Sequence, residues 1–201
     1  MRRVPALLIA IRVGLGPVLA LLSNHSPPAW LVIAVLLAAM LSDLLDGIIA
    51  RRLKIATELL RVADSRADAW FFLCVGWSAW LAAPDVVRAY AAPLVISVTL
   101  QGVSYIYDLA RYRRITSLHA YSAKAWGFSL YVAAAALIAY KYGALIWFSF
   151  ALWLVSFVDA AAIKLLLPGW RHDVLSCVHA YRQRRVEQRG QVSRAARGAG
   201  Y

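Results

Sequence analysis

Four aspartates lie within one short stretch of an otherwise apolar chain. Asp43 and Asp46 lie in the last part of one long apolar segment, and Asp64 and Asp68 lie in the first part of the next. An ionised aspartate at the centre of a membrane helix costs about 2.5 to 3.5 kcal/mol on insertion scales. Four of them so close together therefore require a cation, a polar cavity, or both. We interpret the cluster as a divalent-metal site for phosphoryl-group chemistry.

Helical periodicity predicts that these carboxylates share two faces. Positions three, four and seven apart lie on one face because a helix advances about 100° per residue. One face combines two acids with two small residues that leave space for a ligand: Asp43, Asp46, Gly47 and Ala50. The other carries Asp64 and Asp68, and a hairpin through residues 51–61 can bring the faces together. Hard divalent cations prefer such oxygen ligands, so we expect Mg²⁺ or Mn²⁺. Two ions about 3.5–4 Å apart would suit an in-line phosphoryl displacement.

The elements that position these residues are predicted from hydropathy. The chain has 201 residues, 62% of them apolar, and a mean hydropathy of +0.63. Soluble domains are nearer half apolar, so we expect an all-α integral membrane protein with six transmembrane helices of about 20 residues. The apolar segments are residues 5–22, 30–51, 63–82, 86–107, 121–140 and 144–167. Residues 1–170 would form the six-helix catalytic domain and residues 171–201 a basic cytoplasmic tail. The first segment lacks a small-residue cleavage site, so we expect a span rather than a signal peptide.

Basic residues predict the orientation. The net charge is +12, and the positive residues lie mostly between apolar segments and at the ends. They gather in loops on one side, which the positive-inside rule assigns to the cytoplasm together with both termini. The aspartates would then lie at the cytoplasmic mouth of a multi-pass protein of the inner membrane, and no nucleic-acid partner is needed to explain the charge. Arg12 interrupts the first segment; it could reach the inner surface, face an internal cavity, or pair with Asp159.

The acidic stretch resembles a known family signature. Residues 43–51 are DLLDGIIAR, and residues 60–68 are LRVADSRAD. The CDP-alcohol phosphotransferases, also called CDP-alcohol phosphatidyltransferases, have the pattern DxxDGxxAR followed by GxxxDxxxD. The four acids and the first Gly, Ala and Arg match in spacing. One position departs from the pattern, since Leu60 stands where the family has its second Gly, a small residue close to the nucleotide.

The resemblance implies roles for the four acids. One ion would be held by Asp43, Asp46 and Asp64. A second would be shared by Asp46, Asp64 and Asp68. Asp68 would also be the catalytic general base, which takes the proton from the acceptor hydroxyl. The implied reaction is attack of an alcohol on the lipid-side phosphorus of CDP-diacylglycerol, which releases CMP and forms a phospholipid.

The resemblance also implies contacts to the donor. Arg51 would neutralise the donor's phosphates, for which a guanidinium is well suited. Gly47 and Ala50 would leave room for the nucleotide. Thr57 either contacts the nucleotide or is a surface or cap residue of the connecting turn.

The acceptor side is less constrained. Arg111, Arg114 and Lys124 could form a pocket for an acceptor phosphate, and Arg111 and Arg114 are alternatively part of a lipid-facing basic loop. Glycerol 3-phosphate is the first expectation, because its charge suits the basic loop. Inositol phosphate, serine and phosphatidylglycerol are the alternatives. Members of the family are often dimeric, so a homodimer is a further expectation.

Three other interpretations compete with the enzyme. Asp43, Asp46 and Arg51 alone would also fit a structural ion-pair network. Intramembrane acids can carry a cation or protons in a transporter, although these acids lie toward one surface. Leu60 is the one feature that favours an inactive family member that binds lipid.

Overall fold

The computed structural model describes residues 4–53, 57–113 and 121–166. Within these ranges all the regular secondary structure is α-helical. The helices are α1 (Val4–Ser23), α2 (Ala29–Arg52), α3 (Glu58–Ala82), α4 (Pro84–Ala89), α5 (Ala91–Tyr112), α6 (Tyr121–Tyr140) and α7 (Leu145–Leu166). The predicted all-α class is confirmed, whereas the predicted tail lies outside the described residues.

Three stretches of the described chain are long and apolar enough to cross a membrane. They are Val4–Ser23, Ala29–Ala50 and Leu145–Ala162. A shorter apolar stretch covers Lys124–Tyr140 in α6. The predicted count of six spans therefore stays a prediction.

Helix α3 begins earlier than the apolar pattern predicts, at Glu58 rather than at residue 63. Thr57 is its N-cap: the Thr57 hydroxyl oxygen accepts a hydrogen bond from the backbone N–H of Leu60 at 3.2 Å. Such a cap satisfies a backbone donor that has no partner within the helix. The early start adds five residues before the predicted start, so Asp64 and Asp68 lie beyond the first turn of α3.

The predicted fourth segment, residues 86–107, is wrong as one continuous helix. The structure has α4 and α5 with a break at Tyr90. Pro93 explains the break, because a proline ring clashes with the carbonyl four residues earlier, here that of Ala89, and offers no N–H to bond it. Apolar composition alone does not reveal this interruption.

The chain divides into two compact units. Within the described part of the chain, the first comprises the residues up to Ala91 together with Phe128–Trp147, and the second comprises those from Ala92 to Gly127 together with those from Phe148 onward. The core of the first unit draws on α1, α2, α3 and α6, with Leu19, Val32, Phe71 and Leu137 among its buried residues. In the second unit Ser122 donates a hydrogen bond to Asp159 at 3.4 Å.

Helix α1 packs on α2 and α3, and its contact with α3 is close. A Cβ added at Gly16 would lie 3.0 Å from the Cβ of Cys74. Pro17 has no N–H to bond the carbonyl of Val13, and the indole Nε1 of Trp70 donates to that carbonyl instead, at 3.2 Å. Both features join α1 to α3 within about a turn of Arg12, which fixes the depth at which Arg12 lies.

Gly16→Ala should destabilise the protein relative to Gly14→Ala. Both changes gain the same helix propensity, about 0.5–1 kcal/mol, but only Gly16 faces a neighbour, since nothing lies within 4 Å of a Cβ at Gly14. Overpacking at Gly16 should therefore make its variant less stable by about 1–3 kcal/mol. Unfolding in detergent micelles measures the difference. Equal stability of the two variants would show that α1 shifts freely away from α3.

Candidate active site

Four carboxylates from two helices converge in the first unit. Asp43 on α2 and Asp64 and Asp68 on α3 each offer a carboxylate oxygen, and these oxygens all lie within 4.8 Å of one another. Asp46 lies on α2 one turn after Asp43 and is buried. We call these four residues the carboxylate cluster. The α2 face and the α3 face that carry the aspartates, which were predicted from their spacing in the sequence, therefore lie close together in the structure.

Arg12 of α1 binds every member of the carboxylate cluster. Its side chain is fully buried. The Nη1 atom lies 3.1 Å from Asp43 Oδ1 and 3.0 Å from Asp64 Oδ1. Nη1 also pairs with Asp68, and Nη2 pairs with Asp46. A single guanidinium therefore joins α2 and α3 through α1.

Ser42 completes the surroundings of the guanidinium. The buried Ser42 hydroxyl donates to the backbone oxygen of Ala39 at 2.8 Å, which turns a lone pair toward α1. Arg12 Nε donates to that hydroxyl oxygen at 3.4 Å. All three nitrogens of the guanidinium, Nε, Nη1 and Nη2, therefore have partners, and its five N–H donors allow these contacts.

The charges in the cluster do not balance. One guanidinium faces four carboxylates, so ionised carboxylates leave an excess of three negative charges. Buried charges are costly unless they are compensated. The side chains of Asp43, Asp64 and Asp68 are 36–37% exposed, whereas that of Asp46 is 5% exposed. Asp43, Asp64 and Asp68 therefore form a partly exposed side of the cluster, which we call the open edge, and Asp46 lies behind it.

A hard divalent cation fits this open edge. The donors are all carboxylate oxygens, their separation permits one ion to contact three of them, and the excess negative charge favours it. Mg²⁺ and Mn²⁺ both match this donor set. The residues present could therefore hold the metal that the sequence pattern implies.

The residues predicted to contact the donor lie near the cluster in sequence. Gly47 is half-buried and Ala50 is buried, both on α2. The Arg51 side chain lies outside the described part of the structure. Thr57 is exposed and has the cap role described above, so of its two predicted roles the cap is the one observed, while its contact with a nucleotide stays a prediction.

Two of the predicted acceptor residues, Arg111 and Lys124, belong to the second unit. Lys124 is exposed in the first turn of α6. Arg111 belongs to α5, and its side chain lies outside the described part. Arg114 lies outside the described residues altogether. Their role in binding an acceptor stays a prediction.

Sequence reasoning missed the partners of Arg12. The available signal was a charged residue inside an apolar segment, which by default indicates a functional site. Of the positions that the sequence allowed for Arg12, the buried internal one is observed rather than the membrane surface. Ser42 gave no signal beyond its place next to Asp43, because a serine in a membrane helix usually bonds its own backbone.

Comparison with known proteins identifies the family. No curated protein and no solved structure matches the chain. The sequence model of CDP-alcohol phosphatidyltransferase matches residues 2–164, most of the chain, and this match includes Arg12 and the whole carboxylate cluster. Members of this family transfer a phosphatidyl group from a CDP-alcohol. The chain belongs to the CDP-alcohol phosphatidyltransferase family.

Proposed function

We propose that the protein transfers the phosphatidyl group of CDP-diacylglycerol to an alcohol and releases CMP, with Mg²⁺ or Mn²⁺ as cofactor. One observation supports this most: four carboxylates from α2 and α3 converge in a chain of this family. A structural ion-pair network would need only enough acid to balance Arg12. Here four ionised carboxylates would carry three negative charges more than Arg12 neutralises, which favours a cation site.

The four aspartates would hold two ions in the arrangement that the family resemblance implies. When bound, the ions neutralise the donor's diphosphate and stabilise CMP as a leaving group. The described residues supply the ligands: Asp43 and Asp46 from α2, and Asp64 and Asp68 from α3. Two rigid helices would fix their positions without rearrangement of a loop.

Asp68 is the proposed general base. The acceptor oxygen bonds to the lipid-side phosphorus, the bond from that phosphorus to the CMP oxygen breaks, and the hydroxyl proton passes to the Asp68 carboxylate. Asp68 belongs to the open edge of the cluster, so an acceptor can reach it, whereas Asp46 is enclosed. Positioning next to the reacting atoms compensates for the weak basicity of a carboxylate near cations.

Small residues would accommodate the donor. Gly47 and Ala50 follow the aspartates of α2 and offer little side-chain volume, while Arg51 would bind the donor's phosphates and Thr57 would contact the nucleotide. On the acceptor side, Arg111, Arg114 and Lys124 would bind glycerol 3-phosphate. Inositol phosphate, serine and phosphatidylglycerol are the alternative acceptors.

We propose six membrane spans in the inner membrane, with both termini and the carboxylate cluster facing the cytoplasm, and a homodimer as the assembly. The asymmetry of basic loops supports this orientation. Single cysteines introduced at Ser26, Arg113 and Lys141, all exposed, can be labelled with a membrane-impermeant thiol reagent in a chain whose own cysteines are replaced. Only the first and third should react from the outside; labelling of the second there would contradict the topology.

The function is tested by incubating the purified protein with CDP-diacylglycerol, Mn²⁺ and a panel of alcohols. CMP release that depends on glycerol 3-phosphate supports the transferase and its first acceptor. Release with another alcohol supports the transferase and replaces the acceptor. No release with any alcohol, from protein shown to be folded, contradicts the transferase and favours the transporter or the inactive homologue.

Leu60→Gly should tighten CDP binding about fivefold, which corresponds to about 1 kcal/mol. Leu60 is half-buried in the first turn of α3, where the family has glycine, and its side chain would crowd the nucleotide. Isothermal calorimetry with CDP measures the change. Leu59→Gly is the matched control, since Leu59 is exposed in the same turn and the change introduces the same flexibility. Equal affinity of the two variants would show that Leu60 points away from the nucleotide.

A further inference from the structure

The guanidinium of Arg12 contacts the same three carboxylates that could hold a divalent ion. Its Nη1 atom contacts Asp43, Asp64 and Asp68, the three residues whose oxygens form the candidate ligand group. A cation bound by the same three oxygens would overlap this atom. Arg12 and an ion therefore cannot both make their full contacts with the open edge of the cluster.

We infer that Arg12 is the cation of the carboxylate cluster when no metal is bound. Its guanidinium then holds the α2 and α3 carboxylates together, and it releases Asp43, Asp64 and Asp68 when an ion binds them. The inference rests on the metal site of the proposed function. Arg12 is a positioning residue in this role, because it acts through the aspartates.

Two contacts of Arg12 with buried partners explain how its guanidinium can release the other carboxylates and still stay next to the cluster. Nη2 pairs with Asp46, and Nε donates to Ser42, and both partners are buried. The Nη2 bond uses only Oδ2 of Asp46, which leaves Oδ1 of that residue for an ion, and the Ser42 hydroxyl is not a proposed metal ligand. The guanidinium can therefore release its Nη1 contacts and stay anchored behind the site.

Arg12→Gln should change stability and metal affinity in opposite directions. Without metal, four carboxylates would repel one another, so the melting temperature should fall. Mn²⁺ should then bind about tenfold more tightly, because its competitor is gone, and saturating Mn²⁺ should restore most of the lost stability. A merely structural role would lower stability equally with and without Mn²⁺.

The experiment uses the full chain in detergent, with Mn²⁺ binding followed by electron paramagnetic resonance and unfolding followed with either EDTA or Mn²⁺. Arg12→Lys is the second variant; it keeps the charge but has fewer donors, so it should fold without metal and bind Mn²⁺ more tightly than the wild type. Arg88→Gln is the matched control, since it removes an arginine that pairs with Asp85 and lies over the Trp80 ring, far in sequence from the cluster. It should leave Mn²⁺ affinity unchanged, and Mn²⁺ should not alter its effect on stability.

Unchanged or weaker Mn²⁺ binding in both Arg12 variants would overturn the inference, as would a loss of stability that Mn²⁺ does not reduce. Absence of Mn²⁺ binding in the wild type would overturn the metal site itself. The transfer reaction is judged separately by CMP release, so the failures are distinguishable.

A second, independent observation concerns Tyr131 of α6. Its side chain is buried on α3, with its ring stacked on Phe71 at 5.9 Å and tilted against Phe72 at 5.2 Å between centroids. Phe71 follows Asp68 by three residues on α3, about one helical turn, so the Tyr131 ring packs next to the α3 half of the carboxylate cluster. Within the described residues the hydroxyl has no hydrogen-bond partner. A buried hydroxyl without a partner is costly, so a ligand oxygen is expected to satisfy it.

We propose that the Tyr131 hydroxyl donates a hydrogen bond to a phosphoryl oxygen of the donor lipid at the carboxylate cluster. This too rests on the proposed function. An anionic phosphoryl oxygen is a strong acceptor, and the donor's diphosphate must approach the cluster for transfer.

Tyr131→Phe tests this cleanly because it keeps the ring and removes only the hydroxyl. We expect kcat/KM for CDP-diacylglycerol to fall about tenfold while the melting temperature stays equal or rises. Tyr140→Phe, at an exposed position of the same helix, should change neither. Wild-type turnover in Tyr131→Phe would overturn the proposal, whereas absent turnover in the wild type would overturn the proposed function instead.

Discussion

Asp68→Asn should reduce CMP release at least about 100-fold, since a positioned general base contributes about 10²–10⁴-fold and an amide cannot take the proton. The amide has nearly the same shape as the carboxylate, so the contacts of Phe71 and Phe72 in the next turn should survive. Arg12 keeps its pairs with the other three aspartates. The loss should therefore appear in turnover rather than in folding. The initial rate of CMP release from CDP-diacylglycerol with Mn²⁺ measures it.

Asp85→Asn is the control for this variant. Asp85 lies on α4, its side chain is 92% exposed, and it pairs with Arg88. Exposed pairs of this kind contribute little to stability, so turnover should not change. Undiminished turnover in Asp68→Asn would end the assignment of Asp68 as the base.

Chelation of divalent ions should abolish CMP release, and Mg²⁺ or Mn²⁺ should restore it. The excess negative charge of the carboxylate cluster cannot bind an anionic diphosphate unless cations are present. Asp43→Asn should in addition raise the Mn²⁺ concentration that gives half-maximal rate by about tenfold or more, because Asp43 belongs to the open edge. A Mn²⁺ titration of the initial rate, begun from EDTA-treated protein, measures both effects.

Asp85→Asn again serves as the control and should leave the Mn²⁺ titration unchanged. Full turnover in EDTA would contradict the role of a metal in the reaction. An unchanged half-maximal concentration in Asp43→Asn would remove Asp43 from the ligands and leave the metal to the other carboxylates.

The same measurements separate the transferase from a transporter. A carrier of cations or protons would bind Mn²⁺ or titrate at these aspartates without releasing CMP from CDP-diacylglycerol. The carboxylate cluster alone fits both classes, since intramembrane acids serve either. Membership of the family favours the transferase.

Much of the fold followed from local rules. Helix α6 has the predicted bounds, and α1, α2 and α7 end within a few residues of them, because apolar runs and their breakers act locally. The prediction of one helix over the fourth segment was wrong because Pro93 cannot donate a hydrogen bond to the carbonyl of Ala89 and its ring clashes with it. A hydropathy average does not detect this effect. Helix α3 starts early because one side chain, that of Thr57, caps it.

The spacing of the aspartates was decided by sequence alone. Asp43 with Asp46, and Asp64 with Asp68, share a face in any helix, so the two halves of the site were predictable from periodicity. The partners of Arg12 were not predictable from the sequence. Helix α1 is apolar around most of its circumference, so its pattern does not specify which face meets α2 and α3; that choice depends on Gly16 and on the carbonyl of Val13 that Pro17 leaves free. Only the packed structure could therefore show that one buried arginine joins all four carboxylates.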